Sequence, residues 1–428
     1  MFFNHELASH PSPPILHTCF TLQIDMFAQR FALVQQRILK QDVFRPKLVS
    51  VDGRQASSDG RHVTHNLTPI ESLLGRAGVR FMLGMIVQVE EGRYYLEDNT
   101  AQVPLDVSEA QILTDGFLTE NCIVLVEGEM MDGVLHVHRM GNPIVETRNE
   151  AIASIGLSST DIFQSMSTLA ELEDIRQQEL LHGPDGMLVV LSNVHLDKPQ
   201  VMDKLRTLFT GFLEANPVYV LMGNFMSSGS STKELMGYFE DLTNLICDID
   251  GLAQEGRFIF IPGPQDPGLA DILPRPPLPK YCTQSLRQKL PHATFATNPC
   301  RIRYFSKELV LYRNNVTFQL QRAALLSPRS SGSTSVQHAV KTLLDQGHLC
   351  PYPRPTYWQF DHTLRLYPLP DALILGERVD QFYENYAECD VVNPGPFSKD
   401  FGFVVYRPIA SSDGTTTKSD VEFSQITD

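Results

Sequence analysis

Met187–Asp197, MLVVLSNVHLD, limits the fold of this chain more than any other stretch. Leu188, Val189, Val190 and Leu191 are apolar without alternation, and the run ends in a polar loop carrying Asn193 and His195. A short apolar run bounded by polar residues reads as a strand buried on both faces, and hence as part of a parallel sheet. Open α/β sheets bind ligands in the crevice beyond the carboxyl ends of such strands. Val218–Asn224 (VYVLMGN) and Phe258–Asp266 (FIFIPGPQD) repeat the design, and Ala372–Val379 (ALILGERV) follows much later. Residues 164–181 read as an amphipathic helix feeding the first strand. Met202–Leu213 reads as a helix crossing to the second strand, and Lys233–Cys247 as one crossing to the third. Strand–helix–strand alternation implies a largely parallel sheet with right-handed crossovers.

Four strands that each deliver a short polar loop are how a metal-dependent hydrolase builds its site. The loops resemble those of the calcineurin-like phosphoesterases, which read D-x-H, G-D, G-N-H-[DE] and G-H-x-H around two metals. Here the first is Asn193-Val194-His195 and the second Gly223-Asn224, so an amide stands at each of two carboxylate positions. The third, Gly263-Pro264-Gln265-Asp266, lacks both the asparagine ligand and the histidine. The fourth, Gly376-Glu377-Arg378-Val379, has neither histidine. The glycines that shape the turns remain, and Asn393-Pro394-Gly395 resembles the turn that follows the last motif. Hard divalent cations need ionised oxygen ligands, and histidine supports zinc, iron or manganese. Two Asp→Asn changes remove two negative charges from a site meant to hold about four positive ones. Among the positions Asn193, His195, Asn224, Gln265, Asp266, Glu377 and Val379, only His195 keeps a ligand residue; Asp266 belongs to the third motif without being a metal ligand. Without metals there is no activated water and no clamp on phosphoryl oxygens. The expectation is a vestigial site with no catalytic residue, no metal and no cofactor.

The chain has 428 residues, enough for two or three domains, with 35 basic and 50 acidic residues for a net charge of −15. That balance opposes tight nonspecific binding to phosphate backbones by the chain alone, while leaving room for a basic partner that contacts DNA. Seven widely spaced cysteines with no C-x-x-C pair argue against a zinc ribbon or a disulfide framework and fit a reducing compartment. No apolar run approaches the ~20 residues that span a membrane. The opening MFFNHELASHPSPPILHTCF has no basic n-region and is not read as a signal peptide.

Residues 1–25 show no consistent period. Phe27, Phe31, Val34 and Ile38 then fall on one helical stripe that Pro46 ends, a helix expected to pack on a neighbouring domain. Residues 47–64 are polar and glycine-bearing, a linker or exposed loop. From Arg76 the pattern is β. Phe81, Leu83, Met85, Val87 and Val89 alternate; Tyr94–Glu97 and Val103–Val107 follow; Ile123–Glu129 and Val134–Val137 pair across Met131-Asp132-Gly133, where Asp-Gly suits a type I′ hairpin. Five short strands with a less regular connection near 108–120 fit an OB-fold barrel. Single-strand binding by such a barrel needs a basic groove and stacking aromatics, yet residues 76–146 hold four basic and twelve acidic residues. A protein-docking role fits better. Residues 264–279 are rich in proline and glycine, an ordered irregular loop or rim. Ser327–Ser335 is flexible by composition, and Val421–Ile426 is a candidate edge strand. In the aromatic, proline-rich stretch Gly347–Pro370, His348 and His362 lack carboxylate company and read as packed or hydrogen-bonded histidines, and most of the stretch around Trp358 reads as core.

LSNVHLD, GNFMSSG, FIFIPGPQDPG, ILPRPPLP, TNPCRI, GHLCP, YWQFDHTLRLYPLPD and NPGPF, in this order behind a small acidic barrel, closely resemble the B subunits of eukaryotic replicative DNA polymerases, the epsilon branch above all. The resemblance runs from about Phe27 to near the C-terminus. It implies α/β plus all-β architecture: an OB-fold barrel packed on a calcineurin-like phosphoesterase α/β sandwich. The domains would be 1–64, an N-terminal helix and linker; 65–150, the barrel; and 151–428, an inactive phosphoesterase-like domain. Relatives begin with a further small helical domain that residues 1–25 do not resemble. The family further implies a nuclear, non-catalytic subunit that binds the C-terminal region of the catalytic subunit of DNA polymerase epsilon. Through it the chain would meet other polymerase and helicase-complex subunits, and DNA only indirectly. Two alternatives stay open at this point: an active metal-dependent phosphoesterase or nuclease, and single-stranded DNA binding through the barrel.

Overall fold

Period-two patterning between residues 80 and 141 becomes five strands: β1 (Arg80–Glu90), β2 (Arg93–Glu97), β3 (Gln102–Asp106), β4 (Ile123–Met131) and β5 (Val134–Gly141). The computed structural model describes residues 16–44, 65–73, 75–155, 169–227, 232–268, 272–326, 328, 332–409 and 419–427. The linker expected at 47–64 lies outside them, as do residues 327, 329–331 and 410–418. β1, β2 and β3 form an antiparallel meander, β1 also pairs with β4, and β4 with β5. Parallel pairing of Leu105 with Leu135 and Asp106 with His136 joins β3 to β5 and closes the barrel, the OB-fold order. At the β4–β5 hairpin Asp132 has φ +50° and Gly133 φ +82°, as a type I′ turn requires.

Both faces of β1 are used. Met82 and Ile86 point into the barrel with Leu96, Val103, Val124, Val126 and Leu135. The alternating set Phe81, Leu83 and Met85 instead meets Phe31, Val34 and Ile38 of the helix Leu16–Lys40. The strand is apolar at both parities because both of its faces are covered.

Two compact units emerge, and they do not follow a linear cut at residue 150. One comprises Pro14–Glu146 with Thr317–Arg354; the other comprises Thr147–Val316 with Pro355–Asp428. The segment 317–354 is held to the barrel by specific bonds. Ala324–Leu326 pairs antiparallel with Leu118–Thr119. The helix Ser335–Gln346 begins at a capping box, in which Thr334 Oγ1 accepts from Gln337 N and Gln337 Oε1 accepts from Thr334 N. Its inner face then serves the barrel: Phe117 N donates to Thr342 Oγ1 at 2.7 Å, and Lys341 Nζ lies 2.7 Å from Asp115 Oδ2. The Gln346 amide replaces a missing strand neighbour, accepting from Ile123 N at 2.9 Å and donating to Ile123 O at 2.8 Å. His348 is buried, and its Nδ1 accepts from Cys350 N at 3.0 Å.

In the other unit the apolar runs become β6 (Leu188–Ser192), β7 (Val218–Met222) and β8 (Arg257–Ile261), parallel and in register, with β9 (Ala293–Phe295) beyond β8. A second sheet is built from β10 (Cys300–Tyr304), β11 (Lys307–Arg313), β12 (Ala372–Gly376), β13 (Phe382–Tyr386) and β14 (Cys389–Asn393), in the order β10-β11-β12-β14-β13. β15 (Gly402–Arg407) returns to the first sheet antiparallel beside β6, and β16 (Asp420–Gln425) forms the expected edge. Leu188, Val190, Val220, Met222, Ile259 and Ile261 pack on Leu309, Leu311, Ile374 and Val392, so the two sheets face each other. The opposite face of the first sheet, with Val189, Leu191, Tyr219, Leu221, Phe258 and Phe260, is covered by the helices Pro199–Gly211 and Thr232–Cys247. This is the α/β sandwich expected. The preceding helix is Leu169–His182. Leu364, Leu366 and Leu369 are core, as expected of that aromatic stretch, but Trp358 is only partly buried and His362 is exposed. No described helix is long and apolar enough to cross a membrane.

Gln346→Leu keeps the side-chain volume while leaving the buried Ile123 N–H and C=O without partners. Orphaning buried backbone groups costs about 1–3 kcal/mol each. Urea unfolding of the full chain should therefore show a lower midpoint. An unchanged midpoint would mean that the Gln346 clamp carries no stability.

Candidate functional site

β6, β7, β8 and β12 all end at the same side of the sandwich, and their loops meet there. Asn193 follows β6 with φ +54°, a left-handed conformation that asparagine tolerates better than most side chains. Loops one and two are tied through the backbone, with Leu196 N donating to Phe225 O at 2.8 Å; loops two and three are tied by Gly223 N to Ile261 O, also at 2.8 Å. Gly223 has no room for a side chain, since a Cβ would fall 1.8 Å from Asp266 Oδ2.

Four of the seven expected positions, Asn193, Asn224, Gln265 and Asp266, hydrogen-bond through their side chains in these loops. Asn224 and Gln265 pair reciprocally: Asn224 Nδ2 donates to Gln265 Oε1 at 2.9 Å, and Gln265 N donates to Asn224 Oδ1 at 3.0 Å. Asn193 Nδ2 donates to Glu377 O at 3.4 Å, while Glu377 is buried and its N–H donates to Asn393 Oδ1 at 3.0 Å. Asp266 is buried and accepts from Phe225 N and Gly263 N, both at 2.7 Å. Val379 takes part through its backbone, its carbonyl accepting from Asn393 Nδ2 at 3.0 Å. Both ring nitrogens of His195 are buried without a hydrogen-bond partner.

The sequence reading missed three arginines. Arg313, the last residue of β11, is fully buried. Its Nε donates to Gly223 O, its Nη1 to Gly376 O at 2.8 Å and Asn315 Oδ1 at 3.3 Å, and its Nη2 to Asn193 Oδ1. Arg275 braces the third loop by donating to Pro264 O at 2.9 Å and Asp266 O at 2.6 Å. Arg378, on the fourth loop, donates to Gln265 Oε1 at 3.1 Å. The signal for Arg313 was present in LVLYRNN, where an otherwise apolar strand ends in a cation.

These residues do not fit a pair of divalent cations. The carbonyl oxygens of Asn193 and Asn224 are already engaged, one by a guanidinium and one by a backbone N–H. Among the described residues no cluster of three or more histidine, cysteine, aspartate or glutamate side chains is placed to hold a metal.

Burial pushes the His195 imidazole down from 6.5 to about 4, helped by the Lys198 charge, so it is neutral at physiological pH. Burial pushes the Asp266 carboxyl up from 3.8 to about 6, against the hydrogen bonds from Gly263 and Phe225 and the charges of Arg275 and Arg313. The two groups act in opposite senses. His195 refuses a proton that the unfolded chain accepts, so its stabilisation is lost as pH falls from about 6.5 toward 4. Asp266 keeps a proton that the unfolded chain releases, so its stabilisation is lost as pH rises from about 4 through about 6. His195→Gln removes only the first slope. Relative to wild type, the variant should gain thermal stability as pH is lowered from 7 to 4.5, measured by calorimetry; a difference constant with pH would contradict this.

The signature of the family described as the B subunit of DNA polymerase alpha/epsilon matches residues 188–384, and that of the DNA polymerase epsilon subunit 2-like OB-fold domain matches residues 21–144. Human DNA polymerase epsilon subunit 2 is 36% identical over 416 residues, covering 94% of this chain and 77% of that protein. The B subunit of DNA polymerase epsilon from Arabidopsis thaliana is 36% identical over 420 residues, covering 95% and 77%, and that from Schizosaccharomyces pombe 32% over 413, covering 89% and 68%. Among solved structures, an archaeal phosphodiesterase aligns with a TM-score of 0.31 at 11% identity, covering 55% of this chain and 99% of that one. Identity of this level over nearly the whole chain, with both units matched in order, places the chain in the family of DNA polymerase epsilon subunit 2, the B subunit of that polymerase.

Proposed function

We propose that this accessory subunit of DNA polymerase epsilon is non-catalytic, and that it binds and stabilises the C-terminal region of the catalytic subunit. It links that region to other polymerase and helicase-complex subunits in the nucleus and meets DNA only through the complex. The observation that carries the reading is the crevice itself: amides at two carboxylate positions, with a buried guanidinium hydrogen-bonded among the loops. No water is activated there, and the groups that would clamp a phosphoryl oxygen are spent on one another. A sandwich held in this state serves through its surface. The barrel, with twelve acidic residues against four basic ones, suits a protein partner better than a phosphate backbone. A lasting subunit contact buries upward of ~2,000 Å², which favours contributions from both units.

Co-expression of the full chain with the C-terminal region of the catalytic subunit should give a complex that survives gel filtration. The complex should melt at a higher temperature than the chain alone, since a ligand of the native state stabilises it by mass action. Failure to co-purify would remove the binding claim. The non-catalytic claim would fall to hydrolysis of bis-p-nitrophenyl phosphate or labelled DNA that requires manganese, zinc or iron and disappears in His195→Ala. Sub-micromolar binding of a ~20–30-nucleotide single strand at physiological salt would favour the barrel as a DNA site instead.

A further inference from the structure

We propose that the Arg313 guanidinium is the chain's internal replacement for a metal centre: a covalently attached cation on which the strand ends of both sheets close. It enters from β11 in the second sheet, between the loops after β6 and β7 in the first sheet and the end of β12 in the second. Each of its three nitrogens donates to a different segment: Nε to Gly223 O, Nη1 to Gly376 O and Asn315 Oδ1, and Nη2 to Asn193 Oδ1. A metal pair would draw the same segments together through ionised ligands. Here the acceptors are neutral and the charge is carried by the bridging group.

Three features show that the surroundings are shaped to this group. The Arg313 backbone is clamped by Asn298, whose Oδ1 accepts from Arg313 N at 3.0 Å and whose Nδ2 donates to Arg313 O at 2.7 Å. The same Nδ2 donates to Pro262 O at 2.9 Å, which ties the clamp to the third loop. Gly376 leaves the space through which the side chain passes, since a Cβ there would lie 2.8 Å from Arg313 Cδ and 2.7 Å from Met222 Sδ. The Asn193 amide completes the arrangement. A carboxylate at 193 would add a second buried charge, whereas asparagine offers one acceptor to the guanidinium and keeps a donor for Glu377 O. The amide at 193 and the Arg313 guanidinium thus form one unit, a fixed cation with neutral acceptors in place of mobile cations with ionised ligands. Planar geometry is part of the assignment, because a lysine ammonium at the end of a flexible stem cannot span acceptors on three segments.

The inference does not depend on which protein the chain binds, and its test uses the chain alone. Hydrogen exchange followed by mass spectrometry would compare wild type, Arg313→Ala and Arg313→Lys. In both variants amides in 193–196, 223–226 and 376–379 should exchange at least about tenfold faster, while the barrel strands keep their protection. Free guanidinium ion at about 10 mM, far below denaturing concentration, should raise the melting temperature of Arg313→Ala relative to equal sodium chloride and leave wild type unchanged. If Arg313→Ala does not fold, Arg313→Lys, which keeps the charge, decides the matter. Wild-type exchange in those loops of Arg313→Lys would overturn the proposal. So would saturable binding of manganese or zinc to wild-type chain, read as a melting-temperature rise that His195→Ala abolishes, because the position would then be open to metal.

Discussion

A fully buried guanidinium held by neutral oxygens is the interaction on which the rest of the sandwich depends. Taking a cation out of water is costly, and burial together with repulsion from Arg378 lowers the Arg313 pKa to about 10. It nevertheless stays charged at physiological pH, with Asp266 and Glu377 supplying compensation at longer range. Among the described residues it forms no direct ion pair. Arg148 in the same unit follows the ordinary pattern, 2.9 Å from Glu308 Oε2 and 3.3 Å from Asp371 Oδ2. The contrast is chemical. Arg148 is matched by two carboxylates, whereas the acceptors that join three chain segments around Arg313 are all neutral. Charge-assisted hydrogen bonds to neutral acceptors are stronger than neutral ones, so the cation also strengthens each bond it bridges.

The neighbouring titratable groups follow from that cation and from burial. Asp266 lies near two arginines and receives two backbone N–H bonds, all of which favour its ionised form, yet desolvation raises its pKa. His195 is driven the other way by the same desolvation and by the cations Lys198, Arg378 and Arg313. The pair flattens the pH dependence of stability, because the two linkages run in opposite directions over nearly the same range.

Much of this was legible in the sequence for identifiable reasons. LVVLS, VYVLM and RFIFI are buried on both faces, and unbroken apolar runs report that directly. Asp132-Gly133 fixed the hairpin because few residue pairs accept two positive φ values. The crevice positions Asn193, Asn224, Gln265 and Glu377 were found because glycine-marked loops after apolar strands occur in a set order. Arg313 was missed because a cation at a strand end ordinarily reads as a solvated terminus; its burial follows from β12, roughly sixty residues later. The parity of β1 was not legible for a related reason. FMLGMI is apolar at every position except the glycine, and alternation cannot say which face looks into the barrel when the other face meets a helix.

The segment 317–354 shows where reading along the chain stops being enough. It departs only three residues after Arg313, so the residue that plugs the crevice of one unit nearly begins the strap of the other. Composition made its start look like a flexible connection, and nothing local says that Thr342 and Gln346 will meet Phe117 and Ile123. The strap's cost lies in loop closure, which grows only slowly with length, while the bonds it makes satisfy buried backbone groups that water cannot reach. Its two ends, at 316/317 and 354/355, both return to the sandwich unit, and the chain crosses once more at 146/147. These three covalent crossings among the described residues mean that neither unit is an uninterrupted piece of sequence. The barrel acquires its last hydrogen-bond partners only after β11 has formed in sequence, so its completion waits on residues that lie beyond the strand carrying Arg313.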